Sequence, residues 1–372
     1  MINNNHLYFD IAATTPLNHE VADHIHEINK NIFGNASSVH QIGQKAHNLV
    51  ERSRKKIASI LNCKESEIYF TSGGSESNNI ALRGSIIPGD HFITSSYEHP
   101  AISNVASFFE QNNIEVSYVD PDLNGIINPE HIYRKLKSNT RLISIMLANN
   151  EIGSINPIKD IVSLCKNKNI LIHTDAVQYI GKKNIDISDL NVDSLSLGAH
   201  KFYGPKGIGA LYIKNGTLVN PLIIGGGQEK GISPGTENVA LISGMAYALE
   251  LSIKNIENST KHINKMESLF YKLLNDTAIK YKVNGDDRLP GFINITFFNF
   301  DGHGLLLNLD MRNIAISFGS ACSSGSAKAS KALLSTGMDE DTANSTVRIT
   351  IGSFIKRDDI INLVNTIKEI II

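Results

Sequence analysis

Between about residues 65 and 215 the sequence alternates short apolar runs with longer segments of helical period, and nothing else in it constrains the fold as strongly. The runs fall at 67–71, 91–95, 115–120, 141–148, 170–174, 194–197 and 208–213. Several are nearly continuous in apolar side chains, as strands covered on both faces are. Between them lie amphipathic stretches such as 157–168, where Ile158, Ile161, Val162 and Cys165 recur at helical spacing. Strands that alternate with helices predict an α/β fold with a mostly parallel sheet wrapped by helices. In such sheets ligands bind beyond the carboxyl ends of the strands. A long helical pattern follows over 239–274, with a polar interruption at 255–259. The texture then changes to strand-like 292–298, helix-like 304–311, strand-like 346–351 and a terminal helix over 358–370. The division expected is a large domain over 15–255 and a small α+β domain built from 1–14 and 256–372.

At 372 residues the chain is long enough for two cores. Hydrophobic residues at 41%, charged residues at 19% and a net charge of −2 give no basic field for nucleic acid or a membrane surface. No apolar stretch approaches the roughly 20 residues of a membrane span, and the first residues lack the pattern of a signal peptide. The three cysteines, Cys63, Cys165 and Cys322, show no CxxC spacing. That argues against a disulfide framework or a metal centre, and fits a reducing, cytoplasmic setting.

Four segments carry chemistry. Thr71-Ser72-Gly73-Gly74-Ser75-Glu76 joins a strand to a helix, and the free N–H groups of such a helix start attract phosphate. A capped tight turn fits the same residues. The strand ending in His173-Thr174-Asp175 places a carboxylate where a ligand would sit, although a structural turn Asp is equally common. Gly198-Ala199-His200-Lys201-Phe202 sets a lysine after another strand end. Burial there would lower its pKa and suit it to Schiff-base chemistry, whereas a surface lysine before a Gly/Pro turn needs no function. Ser320-Ala321-Cys322-Ser323-Ser324-Gly325 surrounds a thiol with small residues, a poor core and a good setting for a nucleophile carried on a loop.

The order and spacing of these segments resemble the cysteine desulfurases, which belong to the fold type I pyridoxal-phosphate enzymes. The resemblance spans nearly the whole chain. It takes in Asp10-Ile11-Ala12-Ala13-Thr14-Thr15, Glu98-His99-Pro100, Asn149-Asn150-Glu151 and Gly226-Gly227-Gln228-Glu229, then Gly235-Thr236-Glu237-Asn238 and Val347-Arg348. It implies that Lys201 holds pyridoxal 5'-phosphate as an internal aldimine and moves protons. It further implies that Asp175 pairs with the pyridine nitrogen, Gln178 bonds the phenolic oxygen, and His99 stacks on the ring and assists proton transfer. Gly74, Ser75 and His200 would bind the phosphate, with Thr236 reaching the phosphate of a neighbouring subunit in a homodimer. Arg348 would grip the substrate carboxylate, helped by Asn150, which the resemblance also places among the cofactor-binding residues. By the same resemblance, Cys322 takes sulfur from L-cysteine as a persulfide, alanine leaves, and the sulfur passes to an acceptor or iron–sulfur scaffold protein. The small residues around Cys322 resemble the long-loop branch of the family, which serves iron–sulfur assembly and tRNA thiolation.

Four positions depart from the family pattern: Ile11 for Asn, Gly198 for a phosphate-binding Ser, Ser233 for Arg, and Ser353 for Arg. None alters Lys201, Asp175, His99, Cys322 or Arg348. The alternatives are a selenocysteine lyase or another pyridoxal-phosphate β-lyase, and a cofactor-poor scaffold motivated by Gly198 and Ser233.

Overall fold

The computed structural model describes residues 6–166, 168–319 and 329–372. Twelve strands occur among them: β1 (Leu7–Tyr8), β2 (Ile68–Thr71), β3 (His91–Ser95), β4 (Glu115–Val119), β5 (Thr140–Ser144) and β6 (Leu171–Asp175), followed by β7 (Ser194–Gly198), β8 (Gly209–Ile213), β9 (Tyr281–Asn284), β10 (Phe292–Phe297), β11 (Ile314–Ala315) and β12 (Thr346–Thr350). Seven form one sheet in the order β2-β8-β7-β6-β5-β3-β4. The pairs β4–β3, β3–β5, β5–β6 and β6–β7 are parallel, and β8 runs against both β7 and β2. With β8 alone reversed, the carboxyl ends of β2, β3, β5, β6 and β7 share one edge.

The central strands are buried along their whole length, which is why their sequences read as continuous rather than alternating. One face is covered by helices Gln41–Leu61 and Val239–Lys254, with Val50, Ile57, Met245 and Leu249 in the shared core. The other face carries helices Gly74–Arg83 and Pro100–Gln111, whose Ile80, Ile102 and Phe109 pack on Phe92 and Leu211. Polar side chains within the sheet bond to one another. His173 is completely buried between the hydroxyls of Ser144 (2.8 Å) and Ser196 (3.0 Å), and burial pulls its pKa down to about 3.

A second core gathers around the antiparallel sheet β12-β10-β9 and helices Ile256–Asn275 and Arg357–Ile371, with Phe9, Phe270, Ile293 and Leu363 at its centre. Phe9 arrives through the parallel pairing of β1 with β11. The chain then bridges from Asp10 to Thr350 and continues toward the edge of the large sheet. The long helical pattern is two helices bent by 66° at Asn255. The 157–168 segment is helical only over Ile158–Leu164, because Cys165 leaves helical geometry at ψ 0°. The strand expected to reach residue 148 ends at Ser144, beyond which an Ala148–Ile155 bridge turns the chain. Among the described residues, no single helix is long and apolar enough to cross a membrane, and no His, Cys, Asp and Glu side chains form a group that would hold a metal ion.

Candidate active site

The strand ends surround a cavity of ≈ 240 Å³. From the β2 end come Gly74 and Ser75, which open helix Gly74–Arg83; no side chain caps this helix start. A Cβ on Gly74 would lie 2.7 Å from Val177 Cγ2, so the first turn approaches the wall as only glycine allows. From the β3 end comes His99, the N-cap of helix Pro100–Gln111. Its Nδ1 accepts from the Ala101 amide at 3.1 Å, so the neutral ring carries its proton on Nε2. Burial lowers the His99 pKa, Lys201 lowers it further, and Asp175 opposes them.

Asp175 closes β6 and is 7% exposed. It accepts from the Asn78 amide at 2.7 Å and from the Val177 backbone at 2.9 Å. Gln178 donates to the Ala12 carbonyl at 2.8 Å, while its buried Oε1 has no partner. After β7, Lys201 Nζ donates to the carbonyls of Ala12 (2.5 Å) and Ala13 (2.8 Å). His200 bonds the Thr14 hydroxyl at 3.1 Å. Burial, then the charge of Lys201, brings its pKa to about 4, which keeps the ring neutral. Asn150 supplies the cavity wall beyond β5.

Two expected site residues lie elsewhere. Arg348, on β12, does not line the cavity. Its buried guanidinium donates to Asp10 Oδ1 and to the Asn150 carbonyl, both at 2.6 Å, leaving Nε without a partner. It therefore reaches the site through Asn150. Thr236 is exposed and outside the cavity of its own chain. Cys322 lies outside the described residues. The other two cysteines are poor nucleophiles: burial raises the Cys63 thiol to about 12 and raises Cys165 as well.

Glu98, Asn78 and the Ala12 and Ala13 carbonyls also belong to the site, although no sequence motif marks a role for them. Glu98 is buried next to His99, accepts from Ser95 Oγ at 2.5 Å and from the Met146 amide at 3.0 Å, and keeps Oε2 unpartnered. Burial lifts its pKa to about 8, so it is mostly uncharged at neutral pH. Asn78 orients Asp175 and lies two residues beyond the Thr71–Glu76 segment, so its place next to that segment was a usable signal.

The class-V aminotransferase model matches residues 7–363. A cysteine desulfurase IscS of Dictyoglomus turgidum is 40% identical over 98% of this chain and 94% of its own length. The chain is a class-V aminotransferase of the cysteine desulfurase family. Among solved structures, a NifS-like protein superposes on this desulfurase homologue with a TM-score of 0.91 at 32% identity, covering 98% of this chain and 99% of the other. The structure of SspA in complex with cysteine gives a TM-score of 0.83 at 37% identity over 94% and 100% of the two chains. The family is pyridoxal-phosphate dependent.

The residues present suit that cofactor. An uncapped helix start offers N–H groups to a phosphate. A buried carboxylate held by Asn78 suits a pyridinium, and the orphaned Gln178 Oε1 is a buried polar atom lacking a partner.

Proposed function

We propose that the chain converts L-cysteine to L-alanine with transfer of the sulfur to Cys322, using pyridoxal phosphate held by Lys201. The observation that carries this is the convergence of Lys201, Asp175, Gln178, His99, His200 and Ser75 on one cavity from four separate strand ends. When bound, pyridoxal phosphate supplies an electron sink for bonds broken next to the substrate amine. The protein's own residues do the rest. Gly74 and Ser75 offer the helix start to the phosphate. Asp175 keeps a pyridine nitrogen protonated, with Asn78 fixing the carboxylate. His99, neutral with its proton on Nε2, is set to donate or take back a proton at that atom.

Arg348 and Asn150 bind the substrate carboxylate, and Arg348 does so by exchanging one of its present partners, Asp10 or the Asn150 carbonyl. In the overall transfer the substrate C–S bond breaks, an S–S bond forms on Cys322, and the carbon left behind takes a proton. No external oxidant or reductant is required. Burial of Cys63 and Cys165 as thiols supports Cys322 as the acceptor. The persulfide then passes to an acceptor or iron–sulfur scaffold protein. A homodimer, with Thr236 serving the neighbouring subunit's phosphate, and the division into 15–255 and 1–14 with 256–372, belong to the same proposal. The test is Lys201→Ala: the visible absorbance of the cofactor linkage and cysteine-dependent alanine production both vanish. A yellow, borohydride-reducible linkage to another lysine in that variant refutes the assignment.

A further inference from the structure

Behind Lys201, on the side away from the 240 Å³ cavity, a second lysine occupies the turn that follows β6. A larger cavity of ≈ 710 Å³ is lined by both lysines. Lys182 Nζ donates to the main-chain carbonyl of Gln178 at 2.9 Å and to that of Lys201 at 3.2 Å, and it sits 5.9 Å from the centre of the Phe292 ring. The two carbonyls belong to different strand-end segments, one after β6 and one after β7, which carry most of the side chains proposed to hold the cofactor. A second contact pins the same pair of segments. Gly181 has φ +81°, and a Cβ there would lie 2.4 Å from Phe202 Cβ, so the backbones meet more closely than any side chain at 181 permits.

We propose that Lys182 is a positioning residue: its side-chain nitrogen, donating to both carbonyls, ties the Gln178 and Lys201 backbones together and fixes the separation of the two turns that present the cofactor-binding groups. This inference rests on the proposed cofactor site. Sequence gives no warning of it, since Lys182 is one of two adjacent lysines in a polar turn. The neighbouring Lys183 faces Asp287 at 3.9 Å instead. The charged and titratable groups around Lys182 are Lys201 and His200 from the β7 turn, with His6, Tyr8, His19, Tyr203, His262 and Asp359 lining the shared cavity. Burial and the charge of Lys201 bring the Lys182 pKa down to about 7, so the group is about half ammonium and half neutral amine at neutral pH, and both forms keep N–H donors for the two carbonyls.

The test compares holoenzyme carrying Lys182→Met, similar in length but without donors, with Lys182→Arg, whose longer group has room in the larger cavity. Lys182→Met is expected to keep the cofactor's visible absorbance but to shift the pH midpoint of that absorbance by about half a pH unit or more. Its kcat should fall about tenfold while KM for L-cysteine changes less than about threefold. Lys182→Arg should return the midpoint and kcat to within about threefold of wild type. Should Lys182→Met not fold, Lys182→Gln, with one amide donor, carries the same comparison. A wild-type midpoint and kcat in the Met or Gln variant overturns the proposal. So does an Arg variant no better than Met, which would mark Lys182 as a packing residue. Wild-type protein without a visible band would instead overturn the cofactor reading, so the two failures are distinguishable.

Discussion

Replacing Gly198 by serine should tighten cofactor binding, and the structure states how much room the change has. Gly198 ends β7 with φ −136° and ψ 127°, an extended conformation open to any residue. A Cβ there would lie 3.6 Å from the Gly74 amide nitrogen, 3.7 Å from His200 Cδ2 and 3.8 Å from Val177 Cγ1, all ordinary contacts. The added hydroxyl would sit one bond further out, next to the helix start proposed to bind phosphate. A hydrogen bond to a charged group contributes about 1.5–3 kcal/mol. Ordering the new side chain offsets part of this. A net gain of about 1–2 kcal/mol corresponds to a dissociation constant roughly 5- to 30-fold lower. Replacing glycine also stabilises the apoprotein by about 0.4–1 kcal/mol through its unfolded chain. Equilibrium binding of pyridoxal phosphate to apoprotein, with urea unfolding of the same apoprotein, separates the two effects. A stabilised apoprotein whose cofactor affinity is unchanged would refute a phosphate at Gly74.

Gly74→Ala should do the opposite, since its Cβ meets Val177 at 2.7 Å. Overpacking of this kind costs about 1–3 kcal/mol, and urea unfolding of the apoprotein should show it. Glu98→Gln should stabilise the protein increasingly with pH. The folded pKa of Glu98 is raised from 4.5 to about 8, so its contribution is complete below pH 4.5 and lost as pH rises toward 8. The gap in urea midpoint between variant and wild type should widen across that window and then level off. His173 acts in the other direction: its folded pKa is depressed from 6.5 to about 3, so stability falls as pH drops through that range, and His173→Gln should flatten the acid limb. Arg348→Lys should retain the cofactor band while raising KM for L-cysteine about tenfold or more, because an ammonium cannot reproduce the two-point guanidinium contact.

The large sheet was legible because strands buried on both faces must be continuous in apolar residues. The run at 91–95 became β3 residue for residue. Short strands with no such constraint were not legible. β1 and β11 pair over two residues each, and β9 alternates too briefly to stand out. The bend at Asn255 showed as a polar interruption, but its 66° angle is set by the packing of two separate cores. In the site, the motif residues at strand ends could be read because side-chain chemistry at a strand end is visible in sequence. The Ala12 and Ala13 carbonyls that receive Lys201 are main-chain atoms delivered by a segment anchored 338 residues away, through Asp10 and Arg348. No residue type marks such a contribution. Lys182 escaped for the same reason, since both its acceptors are backbone carbonyls.

The most direct test of the proposed chemistry follows the sulfur itself. Holoenzyme is treated with L-cysteine without reductant, digested, and its cysteine peptides are weighed by mass spectrometry. One added sulfur atom on the peptide containing Cys322, reversed by a thiol reductant and matched by alanine release, is the result expected. Added sulfur on the Cys63 or Cys165 peptide, or alanine release with all three peptides unmodified, would contradict it.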